Sequence, residues 1–139
     1  MGFFIGKAIE NAHLRSLHRR EIHWRRIPVS TLDAPPEGWR VTRAGLVDGS
    51  VVVSIDHWKR LLAGLRAIFG GRIRAYESLL ERARREALLR MQENAHQRGF
   101  HGVVGTRLET ARLATTSRDG QGTAGVEILA FGTGVERAR

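Results

Sequence analysis

From Asp56 to Gly99 the chain carries two amphipathic stretches joined by a double glycine, and no other feature restricts its possible folds as much. Trp58, Leu61, Leu62, Leu65, Ile68 and Phe69 fall on one stripe of a 3.6-residue helix. Asp56 is placed to cap that helix, and Gly70-Gly71 supply the backbone freedom that ends it. A second helix is expected over residues 72–98. Tyr76, Leu80, Ala83, Ala87, Met91 and Ala95 recur along it at steps of three and four, Leu79 and Leu88 widen the stripe, and Gly99 stands at the C-terminal stop.

At 139 residues one domain is expected. A domain of this size buries a modest share of its surface, so association with further copies is a ready source of stability. The absence of cysteine removes disulfides, thiolate catalysis and cysteine zinc sites. The opening Met1-Gly2-Phe3-Phe4-Ile5-Gly6 is too short an apolar run for a secretory core before Lys7 and Glu10, so a cytoplasmic protein is expected. Gly6 stands where a myristoylation signal needs Ser or Thr.

The net charge of +9 is unevenly placed. Residues 1–26 carry +4 and residues 72–98 carry +3. A basic surface attracts nucleic acid, an anionic membrane or an acidic protein, but no aromatic interleaving or nucleic-acid module accompanies this one. On the second helix Glu81 precedes Arg85, and Glu86 precedes Arg90, by four residues. Much of that charge therefore reads as a paired, solvated face.

Residues 1–26 read as a basic N-terminal extension, with a weakly periodic helix over 7–26. Leu14, Leu17 and Trp24 lie on one side, and Arg15, Arg19, Arg20, Arg25 and Arg26 supply cations. Its role stays open between docking on a partner, lying on an anionic membrane and fraying. His13, His18 and His23 recur every five residues, a rotation of about 500°, and so do not converge on one metal.

Short strands are expected next. Ile27 to Thr31 reads as an edge strand that tolerates Pro28, residues 33–38 as a turn, and Trp39 to Val47 as a strand ended by an Asp48-Gly49 turn. Val51-Val52-Val53 reads as a brief strand leading into Asp56. After Gly99, Phe100 to Thr110 and Thr123 to Val135 alternate as strands around a flexible connection at 114–122. The fold class is α+β, two layers, with two helices packed on one face of a mainly antiparallel sheet.

Leu46-Val47-Asp48-Gly49, the run Leu65-Arg66-Ala67-Ile68-Phe69-Gly70-Gly71-Arg72, Ala75-Tyr76-Glu77, Gly99 to Gly105 and Gly132-Thr133-Gly134-Val135 together resemble the YbjQ family of uncharacterised bacterial proteins, which carries a heavy-metal-binding label. The resemblance spans about residues 27–139, one domain after the extension. It implies a dodecin-like subunit assembling as a ring, with a homopentamer favoured, and supplies no established activity. Ala67 stands where the family usually has an acidic residue, Ile73 replaces a small residue, and His101-Gly102 replaces an acidic or amide residue before the valine pair.

Three groups of site candidates follow. Arg66, Gly70, Gly71, Arg72, Tyr76 and Glu77 form either a fixed corner between helices or an anion pocket at a subunit boundary. Leu14, Arg15, Leu17, Arg19, Arg20, Trp24, Arg25 and Arg26 are the partner-binding candidates. His96 and His101, with Glu93 or Glu109, offer two imidazoles and a carboxylate to a first-row metal, against a reading as exposed turn residues. No phosphate loop, nucleophile elbow or other catalytic constellation is present, and no cofactor is required, although a metal is compatible. The leading expectation is a non-enzymatic oligomeric scaffold or binding module with an N-terminal segment for partner engagement. The alternative is a heavy-metal- or small-ligand-binding protein with sites at subunit interfaces.

Overall fold

The computed structural model of the protein describes residues 2–54, 72–115 and 123–138. In chain order these form α1 (Gly2–Trp24), β1 (Val41–Ser54), α2 (Arg72–Gln97), β2 (Gly102–Thr115) and β3 (Thr123–Arg137). The strands make an antiparallel sheet in the order β1-β3-β2. The helix expected over Asp56–Phe69, the Gly70-Gly71 corner and residues 116–122 of the expected 114–122 connection lie outside the described residues, while Ala114 and Thr115 belong to β2, paired with Ala124 and Thr123, and not to a connection.

Helix α2 lies across one face of the sheet through a seam of small residues. Ala83, Ala87, Met91 and Ala95 are buried there, as their four-residue spacing predicts. Beneath them, Val47 and Gly49 of β1 are buried and Val51 and Val53 are partly covered. The turn expected at Asp48-Gly49 is absent: β1 is one strand of fourteen residues running straight through both. The glycine serves closeness instead of reversal. A Cβ on Gly49 would lie 2.5 Å from the Ala87 carbonyl oxygen and closer still to the Met91 amide, so only glycine admits the helix at this depth.

The end of α2 follows the sequence signal. Gly99, at φ +77, donates its N–H to the His96 carbonyl, and Phe100 donates to the Ala95 carbonyl, which together form a Schellman cap. Phe100 is then buried against Gly134, where a Cβ would come within 2.5 Å of its ring. Further along β2, Gly105 at φ +62 sits in the register shift between Val104 and Arg107.

Helix α1 packs on α2, whose second face receives it. Arg85, Leu89, Gln92 and His96 repeat at steps of four, three and four, so they share that face. Arg85 forks onto Glu21, its Nη2 lying 2.6 Å from Oε2. Glu86 accepts from Arg20 at 2.8 Å, and Gln92 donates to the carbonyls of Trp24 and Ile27. Leu17, Trp24 and Ile27 join Leu89 in the core. Residues 1–26 are therefore integrated with the domain through their C-terminal half. The expected Glu81–Arg85 pair is also replaced: Arg85 turns to Glu21, and Glu81 lies 3.9 Å from Arg84. The Glu86–Arg90 pair forms as expected, at 3.1 Å.

Both sheet edges carry other groups. Along β2, residues 28–32 run parallel to the strand, with Val103 donating to Pro28, Ser30 to Val103, Gly105 to Leu32 and Thr106 to Ser30. The expected edge strand over 27–31 is thus reduced to one bridge and its flanking bonds. Along β1, Arg90 donates to the Ser50 carbonyl at 2.8 Å and Arg98 to the Leu46 carbonyl. On the sheet face away from α2, Leu46 and Val52 are 66% and 58% exposed. Register places Asp48 beside Phe131 and Ser50 beside Leu129 between them.

Candidate functional site

A cleft of about 810 Å³ opens where α2 ends, β2 begins and β3 finishes. The cap at Gly99 turns the chain from α2 into β2, which brings His96 and His101 to its border. The start of β1 pairs with the end of β3, Val41 opposite Arg137, and the Ala138 N–H donates to the Arg40 carbonyl. That pairing carries Trp39, Arg40 and Arg137 to the same place. The chain leaving α1 supplies Arg26, Ile27 and Pro28.

Several of these side chains are held in place. The Arg137 guanidinium lies over the Trp39 ring, 5.4 Å from its centroid, and Trp39 sits close above Gly102, whose missing side chain makes room for it. The Arg26 guanidinium lies 5.3 Å from the Trp24 ring centre and 3.1 Å from His23 Nε2. His96 packs on Trp24 from another side, at 5.2 Å. His101 Nδ1 accepts the Arg137 backbone N–H at 3.1 Å, so a neutral ring keeps its proton on Nε2. Among the described residues lining the cleft there is no carboxylate.

The metal set that the sequence offers, against the reading of His96 and His101 as exposed turn residues, does not assemble among the described residues. His101 spends one ring nitrogen on Arg137, and Glu93 faces Arg20 of α1 at 3.9 Å. Glu109 lies eight residues beyond His101 on β2, roughly 26 Å along an extended strand, paired in register with Leu129. Among the described residues no group of three His, Asp or Glu side chains is placed to hold a metal.

Of the partner-binding candidates, Leu17 and Trp24 are core residues, 1% and 9% exposed, and Arg20 is paired with Glu86. An anchor that fills the protein's own interior is not offered to another molecule, so Leu17 and Trp24 leave the expected docking set, and Arg20, though 35% exposed, is already engaged by Glu86. Leu14, Arg15, Arg19, Arg25 and Arg26 are exposed, and Leu14, Arg15 and Arg19 border a shallow depression with His18. Glu21 is held below its ordinary carboxylate pKa by its hydrogen bond to Arg85, against the opposing effect of burial. The same bond raises the Arg85 pKa.

Arg66, Gly70 and Gly71 lie outside the described residues. Arg72 and Tyr76 fall in the first turns of α2, and Glu77 is exposed there. The corner reading is therefore neither assembled nor dispersed by the described residues.

A family model described as "Putative heavy-metal-binding", that of the YbjQ family, matches residues 28–138. A UPF0145 protein of Thermus thermophilus is 46% identical over 110 residues, 78% of this chain and 89% of its own length. A UPF0145 protein of Vibrio parahaemolyticus is 42% identical over 92 residues, 66% of this chain and 80% of its own. One from Bifidobacterium longum is 39% identical over 104 residues, 74% of this chain and 89% of its own. A solved structure from Pediococcus pentosaceus, of unknown function and assigned to the DUF74 family, covers 81% of this chain and 98% of its own, at 10% identity and a TM-score of 0.37.

Proposed function

The chain belongs to the YbjQ family, and on that premise we propose that it is a non-enzymatic binding module working as a closed oligomer, a ring of dodecin-like subunits with five copies favoured. The observation that supports this reading is the sheet face that none of the described elements packs against. Leu46 and Val52 are large, apolar and more than half exposed there, with Phe131 and Leu129 beside the residues between them. Burying such side chains against a second copy yields roughly 25 cal/mol per Å² of apolar surface removed from water. Repetition around a ring would also present the exposed Leu14, Arg15 and Arg19 of α1 many times over, so that weak contacts with a partner protein act together. A nucleic acid or an anionic membrane is a weaker fit to the same cations. No described helix is long and apolar enough to cross a membrane.

The second reading, a metal-binding protein, is favoured by the family description alone. With two imidazoles at the cleft and no third donor among the described residues, it requires a ligand from elsewhere, in the rest of the chain or in a neighbouring copy.

Native mass measurement of the untagged full chain, together with its metal content after dialysis, tests both readings. The scaffold reading expects a discrete oligomer without stoichiometric metal, broken by Leu46→Glu with Val52→Glu. Monomer alone across micromolar concentrations would remove it. Stoichiometric metal lost on His96→Ala and His101→Ala would replace it with the metal reading.

A further inference from the structure

We propose that the cleft between the C-terminal end of α2 and the last residues of β3 binds a small phosphate-bearing molecule, gripped by Arg26, Arg40 and Arg137. This deepens the binding-module reading by naming the class of ligand, and it rests on the binding part of that reading, not on assembly.

The charge balance of the lining is one-sided. Three arginines line a cleft to which no described carboxylate contributes, and a guanidinium keeps its charge at any working pH. Its planar fork matches phosphate oxygens two at a time. Two of the three are also pre-positioned, Arg137 on Trp39 and Arg26 between Trp24 and His23. Ligand binding thus has less side-chain freedom to remove. The proton left on His101 Nε2 is a further donor at the rim.

One feature opposes an anion: α2 points its C-terminus here, bringing roughly half a negative charge. The cap bonds already engage the carbonyls of Ala95 and His96, and three full positive charges outweigh that partial one. The same charges repel a divalent cation, which assigns the two histidines to the anion.

Size and lining narrow the ligand further. A volume near 810 Å³ is far larger than a lone phosphate needs and lies in the range of small-molecule sites. Trp39, Ile27, Pro28 and Phe100 give the cleft an apolar wall beside its cations. A single carboxylate cannot use three forks. A phosphate monoester or diphosphate can, while its organic body lies on the apolar wall.

The test is titration calorimetry of the full chain with inorganic phosphate, pyrophosphate, phenyl phosphate and citrate at fixed ionic strength. Pyrophosphate and phenyl phosphate are expected to saturate at one site per chain and to bind more tightly than citrate. Arg40→Gln and Arg137→Gln should each weaken them by about tenfold. The control pair Arg84→Gln with Arg107→Gln, both exposed and absent from the cleft lining, should leave them unchanged, and circular dichroism identifies the variants that keep their fold. Absence of saturable binding, tighter citrate, or an equal loss in the control pair would overturn the proposal. So would wild-type affinity in a folded Arg40→Gln protein. Native mass on the same samples separates the two readings: an oligomer that binds no phosphate ends this inference alone, and a monomer that binds it ends the assembly reading alone.

Discussion

The backbone of Gly49 and the carbonyl of Ala87 are so close that a β-carbon on the glycine would sit 2.5 Å from the oxygen. Neither partner can yield locally, because one lies in the first-row contact of a fourteen-residue strand and the other within a helical ladder. Gly49→Ala is expected to destabilise the fold by about 1–3 kcal/mol, the usual cost of forcing extra volume into a packed contact. Urea unfolding of the two proteins measures it, and equal midpoints would show that the helix rides higher on the sheet than described.

The same reasoning applied to α1 predicts that this helix is needed for stability. Leu17 is 1% exposed, so Leu17→Ala should cost about 2–4 kcal/mol. From sequence, residues 1–26 precede the strands and both amphipathic helices, so that either their removal leaves the rest assembled or they pack on the subunit and stabilise it. Burial of Leu17 and Trp24, and the loss of partners for Arg85 and Glu86, predict a lower melting temperature for the truncated chain. A truncated protein melting with the full chain would restore the dispensable reading.

Glu21 gives a pH dependence with a definite sign. Its folded pKa lies below its ordinary 4.5 because Arg85 bonds the charged form, while Arg85 itself stays protonated throughout. The pair therefore stabilises the fold above pH 4.5, and that contribution is lost as the pH falls through the depressed folded value. The pair is partly solvated, so Glu21→Gln should cost about 1 kcal/mol or less near neutrality, and the gap to wild type should close in acid. A gap that widens on acidification would mean that another group controls this contact.

Gly99 adopts φ +77 at the end of α2. Gly99→Ala should lower stability by about 1 kcal/mol, the strain of a left-handed conformation in a residue with a side chain. Since Gly99 shapes the turn between His96 and His101, phosphate affinity should fall with it. Calorimetry on the folded variant checks the second effect independently of melting.

Helix α2 could be read from sequence because its buried seam is local: Ala83, Ala87, Met91 and Ala95 announce themselves by spacing, and Gly99 marks the end. Asp48-Gly49 misleads because an Asp-Gly pair is a strong turn signal whenever only neighbours are considered. What decides it is α2, whose contacting residues lie some forty positions away. The second face of α2 is equally hidden, since Arg85 and Gln92 look like solvated positions until α1 covers them. Of the cleft, His96 and His101 were visible as residues flanking a glycine. Trp39, Arg40 and Arg137 were not, because only the β1–β3 register brings the two ends of the domain together. The one hint was compositional, a tryptophan-arginine pair ahead of the first strand and an arginine at the end of the last.

The bonds that residues 28–32 make to β2, and that Arg90 and Arg98 make to β1, carry a consequence for how copies of this chain meet. A sheet whose rims are open grows like a ribbon, each newcomer templated by backbone alone and almost indifferent to sequence. Here each rim is engaged in part, β2 at Val103 to Thr106 and β1 at the Leu46 and Ser50 carbonyls, so ribbon growth along those stretches meets an obstacle. Under the proposed assembly, copies would meet on the flat side bearing Leu46 and Val52, where fit depends on side-chain shape. Assembly by that route is heritable in a way that ribbon growth is not: exchanging two or three exposed residues would change who associates with whom while the fold beneath stays as it is.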